Sequence, residues 1–580
     1  MIYPNHMVEK CVIIDKKDRF LYFANPIYEI AAQEFSEVKK ALEEIDTFRK
    51  SKFFLAGFIS YEASYGFIKF QHQVAKKKHG ELPLLWFGVF PKYEVIEIPK
   101  TQKDYQIAHI RPELEEKKYL QKVGKVREFL RRGDTYQVNL TFKIFFEFQG
   151  DPFSLYLDLR KKQTVEYGFF VKLKEKSILS LSPELFFELR DKRIKTRPMK
   201  GTIRRGKYPE EDWEMMGKLM NSEKNQAENL MIVDLLRNDL GKISQFGSVR
   251  VEKLFEVEKY ETVFQLTSTI SSVVEEEKIS EILMTLFPCG SVTGAPKVRT
   301  MEIINLLEST PRGVYTGTMG MITPNYALFN VAIRTPFICQ NKGEMGLGGG
   351  ITWYSDPREE YQEALLKSKF VQIFPAEEFK LIETMLLKDG ELYLLNLHLE
   401  RLKKSAEYFL FKFDKECITS ILLNAVHGIK GENKVRLLLS KNGKLEVEIE
   451  GLERKPRLGY IKVAPERTNS EDVFLFHKTT KRDLYNKYSQ KAQAEGLIDY
   501  IFLNEKGEIT EGCVHNIILR KNHRLITPRR ESGLLKGVML EYLSQKLPIS
   551  EKRLTTSDLE EAQAIYLCNS VTGIKKVLLL

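Results

Sequence analysis

A chain of 580 residues is too long for one hydrophobic core, and its length alone suggests roughly three or four domains. Its 43% hydrophobic and 29% charged content is that of a soluble globular protein, and no run of about 18 apolar residues is present to span a membrane. The net charge of +11 is spread over short runs (KKK at 76–78, RR at 131–132, 204–205 and 529–530) with acids between them, which argues against nucleic acid as a partner and suits a small anionic substrate.

The first residues, MIYPNHMVEKCVIIDKK, lack the basic stretch and apolar core of a signal peptide. Cys11, Cys289, Cys339, Cys417, Cys513 and Cys568 are dispersed, with no C-x-x-C pair, and the histidines form no H-x-x-x-H pair. The expectation is a reducing, cytoplasmic setting without a disulfide framework or a structural zinc.

In chain order, apolar alternation over 8–24, 52–70 and 82–98 predicts strands. Residues 115–132 predict a helix that ends in a cationic turn before Gly133. TYQVNLTFKIFFEF (135–148) predicts a strand, and YGFFVKL with SILSLSPELFFEL a hairpin pair. NQAENLMIVDLLRNDLGKI (225–243) predicts a helix with an apolar stripe. The stretch from SEILMTLF to INLLEST predicts helix, loop, helix. ALFNVAIRTPFI and EMGLGGGITWYSD predict strands, and REEYQEALLKSKFVQIF a helix. At 375–378 the pattern restarts: FKLIETMLLKDGELYLLNL predicts two strands around an Asp389–Gly390 turn, followed by a helix. YIFLNEKGEITEGCVHNIILRKNHRLITP predicts a β-meander. These elements place a domain boundary near 376, giving 1–375 and 376–580, with no internal repeat.

Several stretches carry chemistry. In CGSVTGAPK (289–297), Gly290 and Gly294 free the backbone, Ser291 and Thr293 add hydroxyls, and a helix follows. Backbone amides at such an entry bind anions, although the Walker spacing is absent and an ordinary glycine-rich helix entry explains the stretch as well. GLGGGIT (346–352) is a second place where backbone can approach a ligand. Glu228 sits on an otherwise apolar helix, and Glu360 and Glu363 share one face of another. Buried carboxylates call for a partner or a metal, and two or three with open positions suit Mg2+. Each alone reads equally as a solvated or ion-paired residue.

SLSPELFF, RPMKGT, AENLMIVDLLRNDL, CGSVTGAPK, RGVYTGTMG, AIRTPF, GGGITWYSDP and EEYQEALLK occur in the order found in chorismate-utilising enzymes, and over about 100–375 the chain resembles that family. The family comprises anthranilate synthase component I, aminodeoxychorismate synthase component I and isochorismate synthases. The resemblance implies a chorismate-binding β-sandwich with surrounding helices. It also implies Mg2+ on Glu228 and Glu363, with Glu360 a lesser candidate. Arg334 and the amides of Gly349 and Gly350 are implied to hold the carboxylate, with Tyr315, Ser291 and Thr293 nearby. The position before G-T is alanine in anthranilate synthases and lysine in aminodeoxychorismate synthases; here it is Lys200. Isochorismate synthases carry a water-activating lysine where this chain has Gln137. Both choices imply amination at C4 of chorismate. Lys200 is implied to attack C2 as the C4 hydroxyl leaves, before ammonia displaces it, and Glu184 to act as acid and base. Gln265 stands where relatives place a histidine. No glutamine-hydrolysing domain is visible, so ammonia is expected from a separate glutamine amidotransferase subunit.

HLERLKKSA, HKTTKRDLY, NEKGEITEGCVHNI and TPRRESGLLKGVM resemble the fold-type IV pyridoxal 5'-phosphate enzymes over about 378–577. That resemblance implies two α/β subdomains and an amine, Lys478, that meets the coenzyme aldehyde. It implies Glu511 at the pyridinium nitrogen, and Arg401, the Leu535–Lys536–Gly537 amides, Ser570 and Thr572 at the phosphate. Of the G-D-G-x-F-E-T opening common in that group only FKLIET remains. Such enzymes commonly form homodimers. The expected whole, an α+β and α/β chain, makes 4-amino-4-deoxychorismate and then eliminates pyruvate to give 4-aminobenzoate, a folate precursor. An anthranilate synthase fused to an aminotransferase is the first alternative, and a non-catalytic ligand-binding protein the second.

Overall fold

The computed structural model describes residues 8–580 except 17, 76, 78–79, 100–103, 163–165, 372–378 and 453–458. The expected boundary near 376 lies outside the described residues. The chain divides into two compact units, Met1–Arg204 with Met216–Ala376, and Arg205–Met215 with Glu377–Leu580.

The first unit is built on two ten-stranded sheets. One has Gln137–Gly150 and Lys342–Ile351 side by side, paired antiparallel from Val138↔Ile351 to Glu147↔Lys342. The other has Val263–Val273 between its neighbours Arg193–Arg197 and Met199–Arg204 on one edge and Arg250–Lys259 on the other. Alternation along each strand sends one set of side chains between the sheets. Val12, Ile14, Phe169 and Val171 from the first sheet meet Phe58, Met319, Met321 and Leu328 from the second in one buried cluster. The outer face of the second sheet buries Phe187, Ile270 and Phe329 against Ile232, Val233 and Leu236 of the helix Glu223–Gly241. The outer face of the first buries Val138, Leu140 and Phe142 against Tyr119, Val123 and Val126 of the helix Glu116–Arg131. Each such fully buried side chain contributes about 1.5–3 kcal/mol.

Two expected strands come out differently. The run 52–70 is a strand only over Phe54–Ile59, and Tyr61–Gly66 forms a 3-10 helix. Tyr61 through Tyr65 are all buried, so periodicity could not separate helix from strand there. The Glu62 carboxylate also accepts the amides of Arg312 (2.6 Å) and Gly313 (3.0 Å), which fixes the turn. The run 82–98 becomes Leu85–Phe90 and Glu94–Glu97, which lie in different sheets.

In the second unit a four-stranded sheet, including Leu381–Lys388 and Asn433–Leu439, packs on the helices Leu395–Phe409 and Lys415–Val426. Leu381, Met385, Leu399, Leu402, Ile418, Leu422 and Val435 form its core. Of the expected second strand of this hairpin only Glu391–Leu392 pairs, because the helix begins at Leu395 behind the left-handed Leu394. An eight-stranded sheet holds the parallel pair Tyr460–Thr468 and Asp499–Asn504, connected through the helix Asp483–Ala494. The expected meander is split. Ile509–Gly512 pairs with Asp499–Asn504, whereas Asn516–Lys521 pairs with Arg524–Pro528 and Ala564–Asn569. The crossing between them carries Glu511, His515 and Asn516 to the rim of a cavity. Among the described residues no helix is long and apolar enough to cross a membrane.

Candidate active sites

Lys200 owes its position to a fault in a β-ladder. The strand Met199–Arg204 pairs with Val263–Val273, but the register slips between Met199 and Thr202. A bulge of this kind bends a strand and re-aims a side chain. Gly201 takes φ +92, and its missing Cβ makes room for Asn225 of the helix Glu223–Gly241. The Lys200 amine is thereby brought against the glycine-rich strand. A Cβ placed on Gly350 would stand 2.0 Å from Gln137 Nε2 and 3.2 Å from Lys200 Nζ. Loss of hydration depresses the Lys200 pKa, with Glu228 and Glu184 pulling the other way. Both polar atoms of the Gln137 amide are buried with no partner among the described residues, and are free for a ligand.

Glu184 lies where the chain leaves one sheet for the other, between Lys176–Ser182 and Leu185–Arg190. Pro183 has no amide to continue the first ladder. The carboxylate is buried and accepts the Ser291 hydroxyl at 2.6 Å. Burial pushes its pKa up to about 7, with Ser291 and Lys200 opposing. A carboxyl group poised there can give and take a proton near neutrality. The CGSVTGAPK loop is pinned beside Gln137: Gly294 pairs with Val138, Ala295 with Gln137, and the Asn139 amide donates to Thr293 O. The Thr293 hydroxyl bonds to the Cys289 and Gly290 carbonyls, so it shapes this loop. Gln265 pairs with Thr202 on the neighbouring strand, its Oε1 accepting the threonine hydroxyl at 2.9 Å.

The carboxylates converge electrostatically. Asn229 fixes the helix of Glu228 to the adjacent sheet, through Leu266 O and Ser268 Oγ. The helix Pro357–Ser368 starts where Asp356 caps the amides of Arg358 and Glu359, and it carries Glu360 and Glu363. Burial raises Glu228 and Glu360, and the charge of Glu363 adds to both shifts. For Glu363 burial also acts upward, but Lys367, whose ammonium is 2.9 Å away, together with Lys224 and Lys200 outweighs it and the pKa is lowered. Among the described residues no three such groups stand close enough to enclose a metal ion. The donor set still fits a hard divalent cation that takes one or two carboxylates and completes its shell with water and substrate oxygens.

Two further expected chorismate contacts have these surroundings. The Tyr315 ring packs over Gly346, where a Cβ would come within 2.0 Å of it, and its charged neighbours are Arg312 and Glu308. Arg334, at φ +49, lies over the Phe370 ring and beside Tyr260 and Glu261.

In the second unit a cavity of about 450 Å³ is lined by Lys478, Arg401, Arg482, Tyr485, Glu511, His515, Asn516 and Ser570. That volume suits a small cofactor with substrate. Lys478 lies in the crossover after Tyr460–Thr468, and its carbonyl accepts the Ile382 amide at 2.9 Å. Burial pushes its amine down to about 7, helped by Arg401 and Arg482. Burial lifts Glu511 to about 8, although Tyr485, Asn516 and the Leu535 amide all donate to it. A buried carboxyl group so placed has room for a cationic ring nitrogen as its partner.

Arg401 grips Glu383 with two bonds, 2.9 and 2.6 Å, and His398 Nδ1 lies 2.6 Å from the same carboxylate. Burial alone would raise Glu383, but Arg401 and His398 hold it well below the usual carboxylate range. His398 Nε2 is left buried without a partner among the described residues. That orphan, the paired arginine and the raised Glu511 fit pyridoxal phosphate. The sequence alone does not single out Glu383 or His398. The signal for His398 was its spacing of three residues from Arg401 on one helix face.

The expected phosphate amides have partners within this unit. The Leu535 amide donates to Glu511 and the Gly537 amide to Asn516 Oδ1 at 2.9 Å, so these two organise side chains. The ammonium of Lys536 pairs with Glu541. Ser570 Oγ reaches Thr384 O at 3.3 Å, and the Thr572 hydroxyl bonds to Asn569.

Comparison with known proteins adds the following. Residues 7–372 match the family model for chorismate binding enzyme, and residues 380–579 the model for amino-transferase class IV. A protein of Oryza sativa subsp. japonica named probable aminodeoxychorismate synthase, chloroplastic, is 43% identical over 258 residues, covering 43% of this chain and 29% of that protein. Aminodeoxychorismate synthase component 1 of Bacillus subtilis (strain 168) is 36% identical over 303 residues, covering 52% of this chain and 63% of that protein. The chain thus spans less than two thirds of either relative. The crystal structure of anthranilate synthase component I from Streptococcus pneumoniae TIGR4 shares the fold, with TM-score 0.53 at 24% identity over 64% of this chain and 94% of that one. With the match running over 7–372, the chain belongs to the chorismate binding enzyme family, and a segment matching amino-transferase class IV follows it.

Proposed function

We propose that the first unit aminates chorismate at C4 and that the second eliminates pyruvate from the product, 4-amino-4-deoxychorismate, releasing 4-aminobenzoate for folate synthesis in the cytoplasm. The observation that carries this reading is the Lys200 amine against Gly350 and Gln137, in the electrostatic reach of Glu184. The neutral Lys200 amine forms a bond to C2 of chorismate while both ring double bonds shift by one position and the C4 hydroxyl departs, taking its proton from Glu184. Ammonia then bonds to C4, both double bonds shift back, Lys200 leaves C2, and Glu184 takes up the surplus proton. The balance is chorismate plus ammonia giving aminodeoxychorismate plus water. The partner is a separate glutamine amidotransferase that supplies the ammonia.

Glu228 and Glu363, with Glu360, are the residues to hold Mg2+ and with it a carboxylate of chorismate. Replacing Glu363 by glutamine is expected to lower chorismate turnover by about a hundredfold or more, since a metal supplies several kcal/mol of charge stabilisation. Turnover by E363Q should also respond little to added Mg2+. A Mg2+ titration of initial rate checks this, and a wild-type titration curve from E363Q removes Glu363 from the ligand set.

In the second unit pyridoxal phosphate, when bound, supplies an electron sink for the carbon that carries the substrate amino group. Arg401, oriented by Glu383, is the residue for its phosphate, and Glu511 for its ring nitrogen. Lys478 Nζ takes the proton from C4 of the substrate. Incubating the protein with chorismate, ammonium, Mg2+ and pyridoxal phosphate and identifying products by mass and retention tests the whole scheme. Formation of 2-aminobenzoate instead of 4-aminobenzoate overturns it.

A further inference from the structure

The strand that carries Lys200 ends at Arg204, and from the next residue the chain belongs to the second unit until Met215. Within that unit Arg205–Met215 is not a surface strap. The Arg205 guanidinium is buried, holds Asp212 with bonds of 2.7 and 2.6 Å, and donates to Tyr408 O at 3.1 Å. It also lies 4.5 Å from the centre of the Tyr408 ring. The Tyr408 hydroxyl donates back to Gly206 O at 2.6 Å. Further along, Tyr208 packs on Phe476 at 5.2 Å and under the Arg530 guanidinium at 4.3 Å, while Glu210 accepts from Arg530 at 2.5 Å.

These contacts close on His477. Its ring lies 4.4 Å from that of Tyr408. Its Nε2 is 3.2 Å from Lys207 O and its Nδ1 3.0 Å from Ser405 Oγ. Burial, with Arg530 and Arg205 nearby, pushes its pKa down to about 3, so the ring is neutral. A neutral imidazole with a carbonyl on one side and a hydroxyl on the other has one consistent arrangement: Nε2–H donates to Lys207 O and Nδ1 accepts from Ser405. The ring is thereby fixed in orientation. His477 has extended backbone, φ −130 and ψ 139, and in extended chain neighbouring side chains point to opposite sides. Anchoring His477 on one side therefore sets where Lys478 points on the other.

We infer that Arg205–Met215 is a positioning element of the Lys478 site, acting through Tyr408 and His477. The inference rests on Lys478 being the lysine that meets the coenzyme. One consequence is that residues supplied from within the chorismate-binding part of the sequence are required for the geometry of the coenzyme lysine.

The test uses the full chain loaded with pyridoxal phosphate, and three variants: Arg205→Ala, His477→Leu and His477→Gln. The readouts are the visible circular dichroism of the bound coenzyme, the kcat and KM for aminodeoxychorismate, and the rate of ammonia-dependent chorismate consumption. R205A and H477L are expected to change the coenzyme dichroism and to lower kcat about ten- to a hundredfold, as a misplacement of about 1 Å does, with KM within about twofold. H477Q, whose amide still reaches Lys207 O, should recover most of both. Chorismate consumption should stay at the wild-type rate in all three. If R205A fails to fold, the contrast between H477L and H477Q decides alone. Wild-type dichroism and kcat in H477L overturn the inference. A wild type that develops no visible band with pyridoxal phosphate overturns instead the assignment of the coenzyme site.

Discussion

On the proposed reading, replacing Lys478 by alanine is expected to abolish release of 4-aminobenzoate and pyruvate, with aminodeoxychorismate accumulating while chorismate is still consumed. The loss is expected at about 10³-fold or more, because the side chain both meets the coenzyme and moves a proton. The reason lies in its surroundings. A lysine amine in water is almost wholly protonated at neutral pH, and a protonated amine has no lone pair to offer. Inside the cavity burial, and then Arg401 and Arg482, bring this amine to about 7. The sign of the pH effect follows. The reacting form is the neutral amine, so the rate at which pyridoxal phosphate binds should rise as pH increases through about 7 and level off above it. For an ordinary lysine the rise would come near about 10.4. Stopped-flow absorbance between pH 6 and 9 reads this directly. A rate still climbing steeply at pH 9 means that Lys478 is not held neutral, and unchanged 4-aminobenzoate release by K478A removes it from the reaction.

What the sequence alone could reveal follows a physical line. Residues that work within a few positions of one another were legible. The glycines of GLGGGIT read as a place where backbone approaches a ligand, and a Cβ on Gly350 would indeed meet Gln137 Nε2 at 2.0 Å, whereas SILSLSPELFFEL, read as one strand, is broken at Pro183 into two strands of different sheets. The helices 116–131 and 223–241 show the 3.6-residue period because one face is buried and the other is not. What the sequence could not show is which distant group completes a partnership. GLLKG announces a glycine-bounded turn into a helix, but the Leu535 and Gly537 amides turn out to serve Glu511 and Asn516. Glu383 is one letter in an ordinary strand, and only the pairing of that strand with the helix of His398 and Arg401 makes it the centre of an ion cluster. Arg205–Met215 is the extreme case. Its composition resembles the residues on either side, and nothing local says that it packs with 377–580.

The Lys200→Ala variant has the largest expected effect on the first reaction, and it changes the product as well as the rate. Without the amine the enzyme forms no bond to C2, and the push that expels the C4 hydroxyl must come from another nucleophile. Turnover to 4-amino-4-deoxychorismate should fall by about 10²- to 10⁴-fold, the range that a nucleophile and its proton partner together supply. The remaining reaction should be misdirected. Alanine leaves space beside Gly350 and the Gln137 amide, and ammonia entering that space meets C2, so the residual product should carry nitrogen at C2. Lys200→Met separates the contributions: it fills the space without supplying a lone pair, so both products should be lost. Glu184 provides an internal control. With its pKa near 7 it is half protonated at neutrality, and its acid role weakens as pH rises, so wild-type amination should fall above about 7. Direct attack at C2 in K200A still expels the C4 hydroxyl and should keep that dependence. Retained C4 amination by K200A at the wild-type rate makes Lys200 a bystander. Flat pH profiles in both proteins remove Glu184 as the acid, leaving it as the partner that holds Ser291.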